Sequence, residues 1–148
     1  MAEAYNPSAC DIESATITPF GTEGSGDVIE IMPLISGFSI SQSISSPMLH
    51  VVLRCYDSIG LLENLPIRGE EKINIKIKAH DLGVEKEIKG RIHKINNVVA
   101  SEPKDALSYS LHIATEISYE ASLYNIITAF RNKPASTMAE DIFKKYIS

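Results

Sequence analysis

Apolar and polar side chains alternate along several segments of this chain, and the alternation predicts β-strands. Residues 72–78 are the cleanest case, because every odd position is isoleucine and every even position is lysine or asparagine. A period of two places the isoleucines on one face of a strand, so we expect that face to be buried. Residues 38–44 repeat the pattern with serine at the odd positions, and Gln42 interrupts the apolar set at the even positions.

Further strand-like segments follow the same pattern, and one of them contains an irregularity. They are residues 15–18, 28–31, 49–56, 86–99 and 108–113. Within residues 86–99, Ile88 and Ile92 lie at even positions and so on one face of the strand, whereas Ile95 lies at an odd position. A slip of one residue predicts a β-bulge near Asn96, which bends the strand and increases its twist.

Two short helices are predicted between or after these strands. Asp57 and Ser58 can cap a helix at residues 59–64, which Pro66 cannot continue. Residues 118–124 predict a second short helix, followed by a short extended piece at residues 126–131.

The C-terminal segment predicts an amphipathic helix. Thr137 and Glu140 have the spacing of a capping box. After it, Met138, Ile142 and Tyr146 recur at intervals of four residues and form one apolar stripe. Because the stripe still runs at the last residue, we expect this helix to dock on, or lead toward, a further part of the protein.

Six or seven strands with few helices predict a mainly β fold, a small antiparallel β-barrel, since bulged and strongly twisted strands favour a barrel. We assign residues 1–27 to a flexible N-terminal arm with one short strand, because residues 21–26 are rich in glycine. Residues 28–117 form the predicted barrel domain. Residues 118–148 form a helical segment that leads toward a further domain not present in this chain.

Charge and composition exclude several classes of protein. The net charge is −5, and a nucleic-acid binder would need a basic stripe. No segment approaches the roughly 20 apolar residues of a membrane span, and the first residues lack the features of a signal peptide. The two cysteines, Cys10 and Cys55, are too few for a disulfide scaffold. We therefore expect the protein to be made in the cytoplasm.

The sequence offers no catalytic signature, and we predict no catalytic residue, no metal site and no cofactor. The four histidines, His50, His80, His93 and His112, show neither HxH nor HxxxH spacing, so we interpret them as solvated or partner-facing residues. No serine lies in a GxSxG motif, and the glycine-rich run lacks the GK[ST] ending of a phosphate loop. Asp57 is interpreted as a helix cap, although carboxylates paired across the fold remain an open alternative. The protein is predicted to be non-enzymatic.

Several stretches carry a recognisable order of core and turn residues. They are Ile44-Ser45-Ser46-Pro47-Met48-Leu49 before a strand, residues 56–67, Gly69-Glu70-Glu71-Lys72-Ile73, residues 90–95 and residues 109–116. This order resembles the first domain of the baseplate-hub proteins of contractile-tailed, T-even-like bacteriophages. The resemblance covers roughly residues 12–147 and rests on core and turn residues alone.

The resemblance implies a tail-tube-like β-barrel in a virion structural protein of the tail baseplate, assembled in the host cytoplasm. Hub subunits of that family form a trimeric, pseudo-sixfold ring that joins the tail tube protein to the central spike protein and contacts other baseplate proteins. DNA passes the lumen of such a ring without specific binding. A chain with a single barrel would more naturally be a hexameric tube or adaptor subunit, so trimer and hexamer both stay open.

Two alternatives remain at the level of the sequence. The same domain occurs fused to a spike in tailocins and type VI secretion systems. A small β-barrel that binds a ligand is the alternative from another class, and a pocket with converging ionisable groups would favour it.

The residues expected to form contacts between subunits follow from the strand and helix patterns. The strands at residues 38–44 and 73–77 are predicted to pair edge to edge through Phe38, Ile40, Gln42, Ile44, Ile73, Ile75 and Ile77. The predicted docking helix presents Met138, Ile142 and Tyr146. For the serine-rich strand, an ordinary solvated strand is an equally open interpretation of its neutral face.

Overall fold

The computed structural model describes residues 10–22, 27–44, 46–65, 67–79, 83–101 and 106–146, the side chains of Ser46, Pro47 and Ser101 excepted. The seven strands are β1 Cys10–Thr18, β2 Ile29–Glu30, β3 Ile35–Ser43, β4 Ser46–Asp57, β5 Lys72–Ala79, β6 Val84–Ser101 and β7 Ala106–Thr115. The helices are α1 Leu61–Asn64, α2 Glu116–Leu123 and α3 Ala135–Tyr146, with a 3-10 turn at Met32–Leu34.

All seven strands form one antiparallel sheet in the order β2-β1-β5-β6-β7-β4-β3. The apolar faces predicted from the alternation pack into a single core cluster. The side chains of Leu53, Ile75, Ile92 and Leu111 are completely buried in it. The prediction of a mainly β fold with antiparallel strands is therefore confirmed.

The sheet does not close into a barrel, which corrects the predicted architecture. Ile31 N–H still donates to Ala15 O at 2.8 Å, continuing the β1–β2 ladder. The Glu30 carboxylate, however, accepts from Ala15 N at 3.0 Å and from Met32 N at 3.1 Å. Pro33 then lies in a 3-10 turn and has no N–H to give. This turn separates β2 from β3, so β3 begins without pairing to β1.

The first described strand lies inside the predicted N-terminal arm and is longer than residues 15–18. β1 pairs with β5 along its whole length, from Cys10 opposite Ala79 to Thr18 opposite Lys72. Ala15 and Ile17 are fully buried in the core. The strand predicted within the arm therefore belongs to the sheet. Residues 1–9 and 23–26 of the arm lie outside the described residues.

The predicted bulge in the long strand β6 is confirmed, and a second accompanies it. The β6–β7 register shifts between Ile92 and Lys94, which is the slip that Ile95 reveals in the sequence. It shifts again between Asn96 and Val99. In the second bulge Asn97 has φ +54°, a left-handed conformation that asparagine tolerates better than most residues.

The helices depart from the predictions at their ends. α1 and α2 confirm the short helices predicted near residues 59–64 and 118–124. Residues 126–131 belong to no helix or strand. α3 begins at Ala135, so Thr137 lies within its first turn and is not the N-cap residue of a capping box. Among the described residues, no helix is long and apolar enough to span a bilayer.

Candidate functional site

The outer side of β3, here called the β3 edge, is one end of the sheet. β3 pairs with β4 from Ile35 opposite Cys55 to Ser43 opposite Ser46. No described strand pairs with its other side. Residues 35–43 contain no charged side chain, although monomeric proteins usually protect such edges with charge or proline. This edge is therefore chemically suited to pairing with another strand.

The predicted pairing residues on this strand differ in how much of each side chain is exposed. Phe38 is half-buried and packs against the core cluster. Ile40 is 39% exposed, and Ile44, just beyond the strand, is fully exposed. Gln42 is exposed as well. The edge thus presents apolar surface without charge.

The second predicted pairing strand cannot pair with another subunit, and this part of the prediction is corrected. Ile73, Ile75 and Ile77 are at most 7% exposed, and all belong to the core cluster. The strand β5 that carries them lies between β1 and β6 and is hydrogen-bonded on both sides. Its backbone groups are therefore already used within the chain. Alternation in the sequence identifies a buried face but does not say whether a strand is central or at an edge.

The second half of β6, residues 92–101, has one side that no described strand covers; we call it the β6 extension. β5 pairs only with residues 84–91 of β6, and Ile92 N donates to Glu71 O at 3.1 Å just beyond that ladder. Val98 and Val99 in this segment are 55% and 60% exposed. The two bulges lie here as well, and on its other side this half of β6 stays paired with β7 as far as Ser101 opposite Ala106.

The C-terminal helix α3 contains no fully buried residue. Met138, Ile142 and Tyr146, the predicted docking residues, are half-buried. The ring of Tyr146 lies 5.9 Å from that of Tyr124. Ion pairs occupy the other face, with Lys144 bonded to Glu140 at 2.6 Å. The docking of this stripe on another part of the protein stays a prediction.

Three histidines that are distant in sequence come together on the face of the sheet opposite the core. His50 lies on β4, His93 at the first bulge of β6 and His112 on β7; together they are called the histidine cluster. His50 Nε2 and His112 Nδ1 are 3.1 Å apart and share a hydrogen bond whose direction depends on the tautomers. The ring of His93 lies 5.4 Å from that of His50 and 6.2 Å from that of His112.

The surroundings of the cluster disfavour positive charge on two of its rings. Burial lowers the pKa of His93 below its usual value, and the neighbouring His50, His112 and Lys94 lower it further. Burial also lowers the pKa of His112, with added effects of His50 and Lys94. A pocket of about 270 Å³ adjoins the cluster, lined by residues that include His50, His93 and Tyr119 of α2.

The sequence did not reveal this cluster, because its members are brought together only by strand order. His112 lies opposite Val52 in one neighbouring strand and opposite Lys94 in the other. The sequence pattern placed each histidine on the polar face of its own strand. It did not show that β6, β7 and β4 are neighbours in the sheet. In the described residues, no group of three or more histidine, cysteine or acidic side chains is arranged, as it stands, to hold a metal ion.

Two buried carboxylates have structural roles. Asp57 is 1% exposed and accepts from Ile59 N and Leu62 N, each at 3.1 Å. Its predicted capping role is therefore confirmed, although the residue at the N-cap position of α1 is Gly60. Burial opposes its ionisation, but backbone N–H groups outweigh this and lower its pKa. Glu71, also 1% exposed, accepts from Arg68 N and Gly69 N and fixes the turn before β5.

The interior around Asp57 gives no sign of a nucleophile. The Cys55 thiol is buried, and its pKa is raised to about 12 by burial and by the charge of Asp57. A thiol with such a pKa stays protonated at neutral pH and is unreactive. Burial, with Cys55 and Asp57 nearby, likewise raises the pKa of Tyr109.

A comparison of the sequence with models of known protein families found no match. A comparison with curated proteins also found none.

Proposed function

We propose that this chain is a structural subunit that assembles with its own copies into a ring, as the baseplate-hub subunit of a contractile phage tail does. The observation that carries the proposal is the β3 edge: nine residues at the end of a sheet, without charge, with Ile40 exposed and Ile44 exposed just beyond the strand. Backbone groups on such an edge are available for hydrogen bonds to another strand.

A closed ring requires two different surfaces on each copy. A contact that uses one patch on both partners gives a two-fold dimer, whereas a head-to-tail contact can close into a ring. The β6 extension supplies a second uncovered strand side, with Val98 and Val99 exposed. We assign it as the surface that receives the β3 edge of the neighbouring copy.

The resemblance supports the setting of this ring. The resemblance implies a mainly β domain, and the described strands form one antiparallel sheet. In the proposed baseplate, the ring connects the tail tube to the central spike and allows DNA to pass. Such a role is mechanical and requires rigid strands rather than a reactive group.

Native mass spectrometry of the chain and of its Ile40→Lys variant tests the proposal. A lysine in the middle of the β3 edge places a charge where strands would pair. We therefore expect the wild type to form an oligomer and the Ile40→Lys variant to be a monomer. The matched control is Ile117→Lys on α2, which replaces another exposed isoleucine (57% exposed) away from both strand surfaces. This control should assemble like the wild type.

The oligomeric state itself distinguishes the members of the proposed class. A trimer supports a hub ring, and a closed hexamer supports a tube or adaptor ring. A wild-type chain that remains monomeric at high concentration would refute ring assembly. The proposal also fails if Ile40→Lys and Ile117→Lys assemble equally well.

A further inference from the structure

We propose that the histidine cluster binds a divalent transition-metal ion, with zinc as the first to test. Nitrogen of neutral imidazole is a preferred ligand for Zn²⁺, Cu²⁺, Ni²⁺ and Co²⁺. Three histidines with one open position form a common arrangement for zinc in proteins. The three side chains lie on the face of the sheet, whereas strands pair through backbone groups at an edge, although His93 itself belongs to the β6 extension.

The spacing of the rings is close to that of a three-histidine site. With a Zn–N bond of about 2.0–2.1 Å and tetrahedral angles, two ligating nitrogens lie about 3.3 Å apart and their ring centres about 5.2 Å apart. His50 Nε2 and His112 Nδ1 are 3.1 Å apart, and their ring centres 5.3 Å. A shared metal ion would keep the two nitrogens at nearly this distance, and each ring would turn by roughly 35° so that its lone pair points at the ion and not at the other nitrogen.

His93 is the ligand that must move. Its ring centre is 5.4 Å from that of His50 but 6.2 Å from that of His112, so it stands about 1 Å too far from one partner. The side chain is exposed and lies at a bulge, where it is not locked between cross-strand neighbours. Rotation of this ring toward the pair completes the three-ligand set.

Asn96 provides support behind one ligand. Its side-chain amide lies 3.4 Å from His112 Nε2, the nitrogen of that ring which does not face His50. With the amide turned so that its oxygen accepts from Nε2–H, Nδ1 of His112 is left as the lone-pair donor. Metal-binding histidines usually have such a partner on the second nitrogen, which fixes ring and tautomer.

Lys94 is the opposing charge at this site. It follows His93 and lies opposite His112 in the sheet, close enough for its charge to act on both rings. A cation nearby weakens the binding of another cation. The Lys94→Gln variant is therefore expected to bind the metal ion more tightly than the wild type.

Isothermal titration of the full chain with ZnCl₂, after removal of metal with a chelator, tests the proposal. We expect one site per chain and a loss of affinity on the order of tenfold or more for His50→Ala, His93→Ala and His112→Ala. His80→Ala is the matched control. His80 is the fourth histidine of the sequence, is not one of the proposed ligands and lies outside the described residues. It should leave binding unchanged.

Visible absorption of the Co²⁺-loaded protein provides a readout besides affinity, since tetrahedral imidazole ligation gives intense d–d bands. Circular dichroism of each variant ensures that lost binding does not reflect lost folding. No saturable binding of Zn²⁺ or Co²⁺ by the wild type would overturn the proposal. So would equal binding by folded His93→Ala, since the cluster would then be only a hydrogen-bonded histidine pair.

Discussion

At the scale of single residues, buried carboxylates stabilise turns of this fold. Asp57 and Glu71 are both 1% exposed, yet each accepts two or more backbone N–H groups from the residues beside it. A buried charge is tolerated when hydrogen bonds replace its lost water. Such residues resemble catalytic carboxylates in burial, and their partners distinguish the two roles.

Asp57 gives a prediction about pH. Its pKa in the folded protein lies below its ordinary value of 3.8, so the unfolded chain takes up the proton first as the pH falls. Its contribution to stability is therefore complete above that value and is lost as the pH falls through the lower, folded-state pKa. Asp57→Asn should lose about 1–3 kcal/mol near pH 7, and less as the pH approaches 2.

Urea unfolding of the wild type and of Asp57→Asn between pH 7 and pH 2 measures this difference. The two curves of unfolding free energy against pH should converge toward low pH, because only the wild type loses the contribution of the charge. Parallel curves over the whole range would show that the charge of Asp57 contributes nothing to stability.

At the scale of elements, the pairing of β6 with β7 depends on one close backbone approach. A Cβ atom added at Gly90 would press against Ala114 O and would lie 2.8 Å from Ile113 Cγ2. Backbone atoms in a sheet cannot move aside without disturbing the ladder. Glycine is therefore required here by space and not by an unusual backbone angle.

Gly90→Ala is expected to lower the free energy of unfolding by about 1–3 kcal/mol, the usual cost of overpacking. Gly37→Ala on β3 is the control, since a Cβ there meets nothing within 4 Å. Chemical denaturation of both variants measures the difference. Equal stability of the two would mean that β6 and β7 can separate at Gly90 without cost.

At the scale of the whole molecule, the sheet is open because of a local event. The side chain of Glu30 takes a backbone hydrogen bond that a continuing strand would have made, and Pro33 follows in the 3-10 turn. The strands β1 and β3 then border a groove of about 420 Å³, lined by Asp11, Ile12, Met32 and residues 35–38. The open side of β3 is a consequence of that turn.

If β3 pairs with the β6 extension of the next copy, two different variants can complement each other. Ile40→Lys impairs one surface and Val98→Lys the other, so each variant alone should be monomeric. Mixed in equal amounts, the two should form a one-to-one dimer through the remaining intact pair of surfaces. Native mass spectrometry detects this dimer, and its absence would exclude the head-to-tail arrangement.

The sequence by itself determined the strands, their buried faces, the bulge in β6 and the capping role of Asp57. These features depend on neighbours within a few residues, where the period of two and the chemistry of turns act directly. Only the tertiary structure decided that β5 is central and β3 is an edge, that the sheet stays open, and that His50, His93 and His112 meet. Strand order places residues that are far apart in sequence side by side, and no local pattern encodes that order.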